Sequence, residues 1–305
     1  MKKKTRLVVG MLIILSLLVC LAIGCGPRSS LPGTFTDDLG RAITINEAPQ
    51  RIVSHVPGIT EILFALGLEE RVVGVSDYCD YPEEAKLKPK VGNYFNPSIE
   101  RIVALEPDLV LTDGYSESIK QLDSLGIAYI VLQPKNIDGV LKDIELVGKV
   151  TDTENRADKL VKDMQERMSY VIARVKDAPR PKVFYVIDAT DLNNPWTAGP
   201  DSFIDSLITM AGGENIGAKA ASAWVQFSIE EVVSSDPEII ILPTKHGTAF
   251  TPPEALKESP IWGKITAVKQ GRIFTIDDDL VSRYGPRIAQ GLEEMAKIIH
   301  PEQFE

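Results

Sequence analysis

The sequence predicts an α/β protein of two lobes, each built around a parallel sheet, with a single long helix between them. Three observations support this prediction. Strand and helix patterns alternate on both sides of residues 151–177, those residues have the apolar spacing of one helix, and a 14-residue segment occurs once on each side of it. The length of 305 residues also fits two domains better than one.

Residues 1–24 differ in composition from the rest of the chain. Four basic residues precede an unbroken apolar run over residues 7–23, and a glycine ends the segment. This order is typical of a signal peptide for export, which we assign to residues 1–24. The apolar run of 17 residues lies at the lower limit for crossing a bilayer, so a retained anchor helix is the alternative.

The segment LAIGC at residues 21–25 resembles the lipobox of bacterial lipoproteins. This resemblance implies lipidation of Cys25, which would anchor the protein to a membrane outside the cytoplasm, in the periplasm or at the cell surface. Residues 25–33 would then form a lipid-anchored tether. Because Cys20 would leave with the signal, Cys79 has no partner and no disulfide is predicted.

The N-terminal lobe is assigned to residues 34–150. It opens with a hairpin pattern over residues 35–45 and continues with alternating strands and helices. The strands are predicted at residues 51–56, 72–76, 108–112 and 129–132, and the helices at residues 60–66, 116–125 and 137–147. This alternation is typical of parallel strands covered by helices.

The interlobe helix is assigned to residues 151–178. Its apolar residues recur at steps of three and four and predict one buried stripe; they are Ala157, Leu160, Val161, Met164, Met168, Val171, Ile172 and Val175. Thr151 followed three residues later by Glu154 predicts a capping box at the helix start, and Pro179 prevents continuation beyond Asp177. From Glu154 to Asp177 such a helix would be about 36 Å long, enough to join two lobes.

The C-terminal lobe, residues 179–305, repeats the alternation. Strands are predicted at residues 183–187, 239–242 and 273–276, and helices at residues 202–211, 253–258 and 287–299. Residues 228–241 also match residues 98–111 at five positions, including a shared Ser-Ile-Glu start and a proline before an apolar strand. The two lobes are therefore predicted to be related by a pseudo-twofold axis.

Charge and missing motifs exclude several classes of function. The formal net charge of −10 disfavours nucleic-acid binding. The sequence has no phosphate-binding glycine loop, no nucleophile elbow, no H-E-x-x-H and no C-x-x-C. Its motifs therefore give no support for nucleotide binding, hydrolase activity or zinc binding.

Ligands of open parallel sheets bind beyond the carboxyl ends of the strands, so the residues that follow each strand are candidates for a cleft. They are His55, Pro57, Gly58, Tyr78, Tyr94, Phe95, Asp113 and Tyr115 in the first lobe, and Asp188, Trp196, Trp224, Lys245, His246, Asp279 and Arg283 in the second. The many aromatic rings favour a bulky, partly flat ligand, although some would simply fill the core. His55 could bind a metal carried by the ligand, but a supporting role is the alternative; no protein metal site is predicted.

Glu100 and Glu230 occupy equivalent places in the two repeats, each in the first turn of a predicted helix. The helix dipole favours a carboxylate there, which is a sufficient structural explanation. A symmetric pair of carboxylates would also suit a twofold-symmetric basic partner. The third possibility is an enzyme that uses the two as an acid/base pair.

Several segments carry a resemblance to a known family. They are SHVPGITE at residues 54–61, YCDYP at 78–82, VGNY at 91–94, PWTAG at 195–199, AGGENI at 211–216 and RYGPRI at 283–288, together with residues 100–111 and 224–230. From Phe35 to the C-terminus the chain is similar to periplasmic binding proteins that deliver cobalamin, ferric siderophores or haem to ABC importers, and most closely to the cobalamin binders.

The resemblance implies two Rossmann-like lobes joined by one rigid helix, with the ligand in a cleft between them. It implies a carrier without enzymatic activity, whose only bound group is the transported cobalamin or other corrinoid. The partners would be an ABC permease dimer and its cytoplasmic ATPase. A ferric siderophore or haem is the alternative ligand, for which Arg283, Arg287 and Lys245 could bind anionic groups.

The resemblance also assigns roles to single residues. Pro57, Tyr78, Tyr94, Trp224 and Asp279 match corrin-contacting positions, and Trp196 stands near a family aromatic. With Tyr115 and Arg283 these residues form the expected ligand site. Glu100 and Glu230 match the carboxylates that dock onto permease arginines. Asp113 departs from the family pattern because it stands where a cobalamin binder can have tryptophan, and Ile187 stands where one can have phenylalanine.

Overall fold

The structure, a computed structural model, describes residues 30–245 and 248–305. The predicted signal peptide, Cys25 and His246 lie outside these ranges. Within them, no helix combines the length and apolarity needed to cross a bilayer.

The N-terminal lobe has the predicted hairpin followed by alternating strands and helices. Its strands are β1 (Gly33–Thr36), β2 (Ala42–Ile45), β3 (Ile52–Ser54), β4 (Val72–Val75), β5 (Leu109–Thr112) and β6 (Tyr129–Val131), and its helices are α1 (Pro57–Ala65), α2 (Ile99–Ala104), α3 (Gln121–Ser124) and α4 (Ile137–Thr151). The sheet order is β4-β3-β5-β6, with every pair parallel. All four strands therefore end at the same edge, which brings the loops after β3, β4 and β5 together.

The interlobe helix α5 (Glu154–Val175) starts three residues later than predicted. Thr151 is the last residue of α4, where its Oγ1 donates to the Val147 carbonyl at 2.7 Å. Asp152 then adopts a left-handed conformation with φ 58°, and the cap residue Thr153 makes no side-chain hydrogen bond to α5. The predicted capping box of Thr151 and Glu154 is therefore wrong, because Thr151 completes the preceding helix.

Six of the eight predicted stripe residues of α5 are buried. Leu160 is only half-buried, and Ile172 is 41% exposed, so the prediction is wrong for Ile172. The stripe belongs to one continuous core that runs from the N-terminal lobe through α5 to the C-terminal lobe. Apolar packing of this extent holds the helix against both lobes along its length.

The start of α5 lies at the amino edge of the N-terminal sheet. Arg71, which directly precedes β4, donates from Nη1 to the Thr151 carbonyl at 2.9 Å. At the same end of the helix, the backbone N–H of Ser30 donates to Glu154 Oε1 at 2.9 Å. The described chain therefore enters the lobe at the edge opposite the loops after β3, β4 and β5.

The C-terminal lobe contains a mixed sheet. Its strands are β7 (Lys182–Asp188), β8 (Trp196–Ala198), β9 (Glu214–Asn215), β10 (Trp224–Gln226), β11 (Ile239–Lys245), β12 (Thr248–Ala249) and β13 (Ile273–Asp277), and its helices are α6 (Phe203–Met210), α7 (Ile229–Ser235), α8 (Pro253–Glu258), α9 (Thr266–Lys269), α10 (Asp278–Val281) and α11 (Ile288–Ile299). Strands β7, β9, β11 and β13 pair in parallel, whereas β8, β10 and β12 join antiparallel. The three strands predicted for this lobe, β7, β11 and β13, pair in parallel as expected. The antiparallel strands β8, β10 and β12 were not predicted, because strands of two or three residues carry no readable periodicity.

The internal repeat extends to backbone detail. Ser98 and Ser228 both cap their helices, accepting from the N–H three residues later at 3.3 and 3.2 Å. Glu106 and Asp236, equivalent positions before the proline, both have φ 46°. The α2–β5 and α7–β11 units therefore share their start, their turn and their strand.

Candidate functional site

A cavity of about 330 Å³ lies between the two lobes, beyond the carboxyl ends of β3, β4 and β5. Its lining comes from both lobes and consists of Val56, Pro57, Gly58, Tyr78, Tyr94, Phe95, Asp113, Ser282, Arg283 and Tyr284. Pro57 opens helix α1, while Tyr78 and Asp113 follow β4 and β5. Four of the predicted ligand residues, Pro57, Tyr78, Tyr94 and Arg283, therefore meet at one cavity.

Aromatic rings form one wall of this cavity. The Tyr94 ring stacks on Tyr115 with centroids 5.6 Å apart and meets Phe95 edge-on at 5.1 Å. Phe95 and Tyr115 also contact each other edge-on, at 5.7 Å. We call Tyr94, Phe95 and Tyr115 the aromatic wall; Phe95 and Tyr115 are largely exposed and offer their rings to a flat ligand.

Asp113 holds the aromatic wall in place through two hydrogen bonds. Its Oδ2 accepts a short hydrogen bond from the Tyr94 hydroxyl, and its Oδ1 accepts from the backbone N–H of Tyr115 at 3.1 Å. Burial raises the pKa of Tyr94, and the Asp113 carboxylate adds to that rise. Tyr94 therefore stays protonated and donates to Asp113 over the whole physiological range.

His55 is fully buried behind Tyr94 and does not line the cavity. Its ring stacks parallel to Tyr94 at 6.1 Å, Nε2 lies 3.2 Å from the Asn93 carbonyl, and Nδ1 lies 3.4 Å from the Thr112 hydroxyl. Burial lowers the pKa of His55, so the ring is neutral at pH 7. With both nitrogens engaged, this arrangement favours the supporting role over metal binding.

A buried cluster of charges joins the lobes at the rear of the cavity. Glu61 of α1, only 2% exposed, accepts from Arg287 Nε and Nη2 at 2.9 and 2.7 Å and lies 3.3 Å from Arg283 Nη1. Arg283 also pairs with Asp80 at 2.7 Å and with Asp279 at 2.9 Å. We call these five residues the interlobe ion cluster.

Both arginines of the interlobe ion cluster are paired with carboxylates. Burial raises the pKa of Glu61, and the guanidinium groups of Arg287 and Arg283 counter that rise. Mutual pairing offsets part of the cost of burying these charges. Arg283, predicted as a ligand residue, lines the cavity but is already bound to three carboxylates.

The lobes also touch through their backbones. A Cβ atom at Gly58 would lie 2.7 Å from the Tyr284 carbonyl oxygen, and one at Gly285 would lie 2.9 Å from the Gly58 carbonyl oxygen. Only glycine permits this approach. The contact sets the separation of the lobes at the cavity floor.

The two tryptophans predicted for the ligand site, Trp196 and Trp224, lie on the second lobe, outside the cavity lining. Gln226 of β10 pairs directly with Trp196 of β8, so Trp224, two residues earlier, projects from the same face as Trp196. Trp196 is 41% exposed and Trp224 is 52% exposed. Lys245, at the end of β11, lies over the Tyr78 ring at 5.9 Å.

Glu100 and Glu230 lie in the first turns of α2 and α7, as predicted. Both are exposed, and within the described residues neither forms an ion pair. Neither lines the interlobe cavity.

A larger cavity of about 650 Å³ lies beside the start of α5. Its lining includes Glu61, Phe64, Tyr81, Arg156 and Arg287. None of these belongs to the expected corrinoid site, and Arg287 was predicted only for the anionic groups of the alternative ligand. The Arg287 guanidinium lies 3.9 Å above the Tyr81 ring, so both are already engaged. The smaller cavity, with its aromatic wall, is the better candidate for the ligand site.

With this geometry in place, comparison with known proteins identifies the family. A sequence profile described as periplasmic binding protein matches residues 52–280. The chain belongs to this family. The two-lobed α/β fold is the fold of its members.

Two relatives of this binding protein match it over most of its length. The uncharacterized ABC transporter substrate-binding lipoprotein YvrC of Bacillus subtilis is 34% identical over 280 residues, which are 90% of this chain and 87% of the relative. A cobalamin-binding protein of Halobacterium salinarum is 30% identical over 281 residues, 89% of this chain and 75% of the relative. This protein is therefore a member of the periplasmic binding protein family, and its relative YvrC is named as a substrate-binding protein of an ABC transporter.

A solved structure supports the fold. The periplasmic haem-binding protein RhuT of Roseiflexus sp. RS-1, in apo form, superposes with a TM-score of 0.73 at 28% identity. The match covers 83% of this chain and 99% of RhuT.

Some residues of the site were not predicted. Tyr284 lines the cavity and Glu61 joins the lobes, yet neither follows a strand of a parallel sheet. A signal for Glu61 existed, since it stands alone as a charge in the otherwise apolar helix PGITEILFA. A carboxylate in such a helix needs a cationic partner, and the partner lies 226 residues away.

Proposed function

We propose that this binding protein captures cobalamin or a related corrinoid between its lobes and delivers it to an ABC import permease. The observation that carries this proposal is the pairing of both arginines of the interlobe ion cluster, of which Arg283 lines the cavity. Arg283 and Arg287 are matched by Glu61, Asp80 and Asp279, so neither is free for the carboxylates of haem or of an acidic siderophore. A ligand with a largely uncharged periphery and a flat, bulky body suits this cleft.

The aromatic wall supports the same ligand. Tyr94 and Tyr115 present stacked rings beside a cavity whose other lining is mainly apolar and includes Pro57 and Tyr78. Trp196 and Trp224, exposed on one face of the β8–β10 pair, would extend the contact along the second lobe. The relatives named for vitamin B12 or cobalamin include one from Vibrio parahaemolyticus that is 26% identical over 259 residues.

Titration separates this ligand from its alternatives. Purified protein is titrated with cyanocobalamin, haemin and ferric hydroxamate or catecholate chelates, and binding is followed by tryptophan fluorescence and calorimetry. We expect micromolar or tighter binding of cyanocobalamin and weaker binding of haemin. Absence of micromolar corrinoid binding, or a preference for haemin, would reject the corrinoid in favour of the alternative.

Docking to the permease is proposed to use Glu100 and Glu230. Their exposure, equivalent positions and lack of ion pairs within the described chain leave both carboxylates available to basic sockets of a symmetric permease. Their position outside the cavity lining argues against the acid/base pair of an enzyme. The double variant Glu100→Ala/Glu230→Ala should retain ligand affinity and lose transport, whereas a loss of ligand affinity would count against docking.

Anchoring by lipid on Cys25 completes the proposal. The lipobox-like segment ends at Cys25, and the relative YvrC carries the name lipoprotein. An acylated N-terminus would keep the receptor close to the membrane that holds its permease.

A further inference from the structure

Asp113 is a buried carboxylate on the cavity lining, and none of the described residues gives it a cationic partner. It is 5% exposed, and the ion pairs of the described chain include none to it. Its two hydrogen-bond donors, the Tyr94 hydroxyl and the Tyr115 backbone N–H, are both neutral.

The nearby basic groups do not compensate the charge of Asp113. His55 lies behind Tyr94, and its pKa is lowered by burial, so it carries no charge at pH 7. Arg283 lines the same cavity but is bound to three other carboxylates.

An ionised carboxylate accepts about four hydrogen bonds, and Asp113 receives two. Its remaining acceptor capacity is unused in a site that it lines. Burying such a charge without a cation or further donors is unfavourable. A ligand that brings N–H donors or positive charge would relieve this, whereas a ligand carboxylate would be repelled.

We propose that Asp113 is a specificity-determining residue, which selects a ligand with amide or cationic groups at this point and rejects one with a carboxylate. The choice of a corrinoid as the amide-bearing ligand rests on the proposed function. The periphery of a complete corrinoid carries amides, and that of haem carries carboxylates. Asp113 would thus discriminate between them by charge, in addition to shape.

A matched ligand pair tests the charge rule directly. Cyanocobalamin is compared with the isomeric monocarboxylates obtained when one of its side-chain amides is hydrolysed. A unit charge about 6 Å from Asp113, at an effective dielectric constant of about 20, corresponds to a loss of about 100-fold, and a more distant one to about 10-fold. We expect at least one isomer to bind the wild type about 10- to 100-fold more weakly than cyanocobalamin.

Substitution shows whether Asp113 is the cause. Asp113→Asn keeps the side-chain size and one acceptor oxygen, and should recover most of the loss for that isomer while changing the affinity for cyanocobalamin less. Asp77→Asn removes an exposed carboxylate from the same end of the sheet and should leave the ratio unchanged. An unchanged ratio in Asp113→Asn, or equal affinities for all isomers in the wild type, would overturn the proposal.

If Asp113→Asn does not fold, the ratio of the wild-type affinities for cyanocobalamin and for its monocarboxylates still tests the proposal. If the wild type binds haemin and no corrinoid, the proposed function fails, and haemin with its uncharged dimethyl ester becomes the matched pair. Tighter binding of the ester would then support the charge rule, and tighter binding of haemin itself would overturn it.

Discussion

The substitution Glu61→Gln tests whether the interlobe ion cluster holds the two lobes together. Glutamine has nearly the same size as glutamate, so the change removes charge without opening a cavity. It also turns one acceptor oxygen into an NH₂ group that faces the N–H donors of Arg287, which lie 2.7 and 2.9 Å from the two carboxylate oxygens. Two donors would then oppose each other in a site that is 2% exposed.

The expected loss follows from the partners that remain. Arg283 keeps Asp80 and Asp279, at 2.7 and 2.9 Å, whereas Arg287 loses its only ion pair within the described residues. Removing one partner of a buried pair leaves an uncompensated charge and typically destabilises by about 3–5 kcal/mol. We expect a decrease of that size in the free energy of unfolding of Glu61→Gln.

Urea unfolding measures this decrease, with circular dichroism and tryptophan fluorescence as independent probes. Glu84→Gln is the matched control, because Glu84 is exposed and its loss should change stability by less than about 0.5 kcal/mol. A Glu61→Gln variant as stable as Glu84→Gln would refute the reasoning, since the cluster would then contribute nothing to joining the lobes.

Three further changes test other parts of the structure. Gly58→Ala places a methyl group against the backbone of the second lobe, and the resulting strain should weaken ligand binding by about 5- to 100-fold, measured by calorimetry. Gly263→Ala is the control, because a Cβ there meets nothing within 4 Å, and it should leave ligand binding unchanged. Burial and a neighbouring carboxylate raise the pKa of Asp143 to about 8, so the folded protein keeps a proton that the unfolded chain releases, and wild-type stability falls as the pH rises from about 4 to about 8. Asp143→Asn lacks this loss and should be more stable at pH 7 by up to about 4 kcal/mol in urea unfolding, whereas the exposed Asp138→Asn should follow the wild type; identical pH profiles for Asp143→Asn and wild type would contradict the assignment. Cys25→Ala should abolish the incorporation of labelled palmitate into the protein, and incorporation equal to that of the wild type would rule out a lipid on Cys25.

The sequence predicted the fold because the main elements carry strong local patterns. The alternation of apolar strands and amphipathic helices identified the principal strands of both lobes, and the stripe from Ala157 to Val175 identified the connecting helix. The capping box at Thr151 failed because an identical local pattern also fits the end of a helix, and only the left-handed turn at Asp152 separates α4 from α5.

The site was predicted in part for the same reason. Residues that follow parallel strands, such as Tyr78 and Asp113, meet at the cavity as the topology requires. The pairing of Glu61 with Arg287 depends on how two lobes face each other, which no local pattern encodes. The burial of His55 likewise depends on the ring of Tyr94, which covers it from another loop.

The hydrogen bond between Ser30 and Glu154 has a mechanical consequence. It ties the described start of the chain to the amino edge of the N-terminal sheet, while the cleft opens at the carboxyl edge. Four residues lie between Cys25 and Ser30, and the five steps from Cys25 to Ser30 span no more than about 18 Å even when the chain is fully extended. A lipid on Cys25 would therefore hold the amino edge of the N-terminal sheet close to the bilayer. The cleft would then open away from the bilayer for as long as Ser30 stays bound to Glu154.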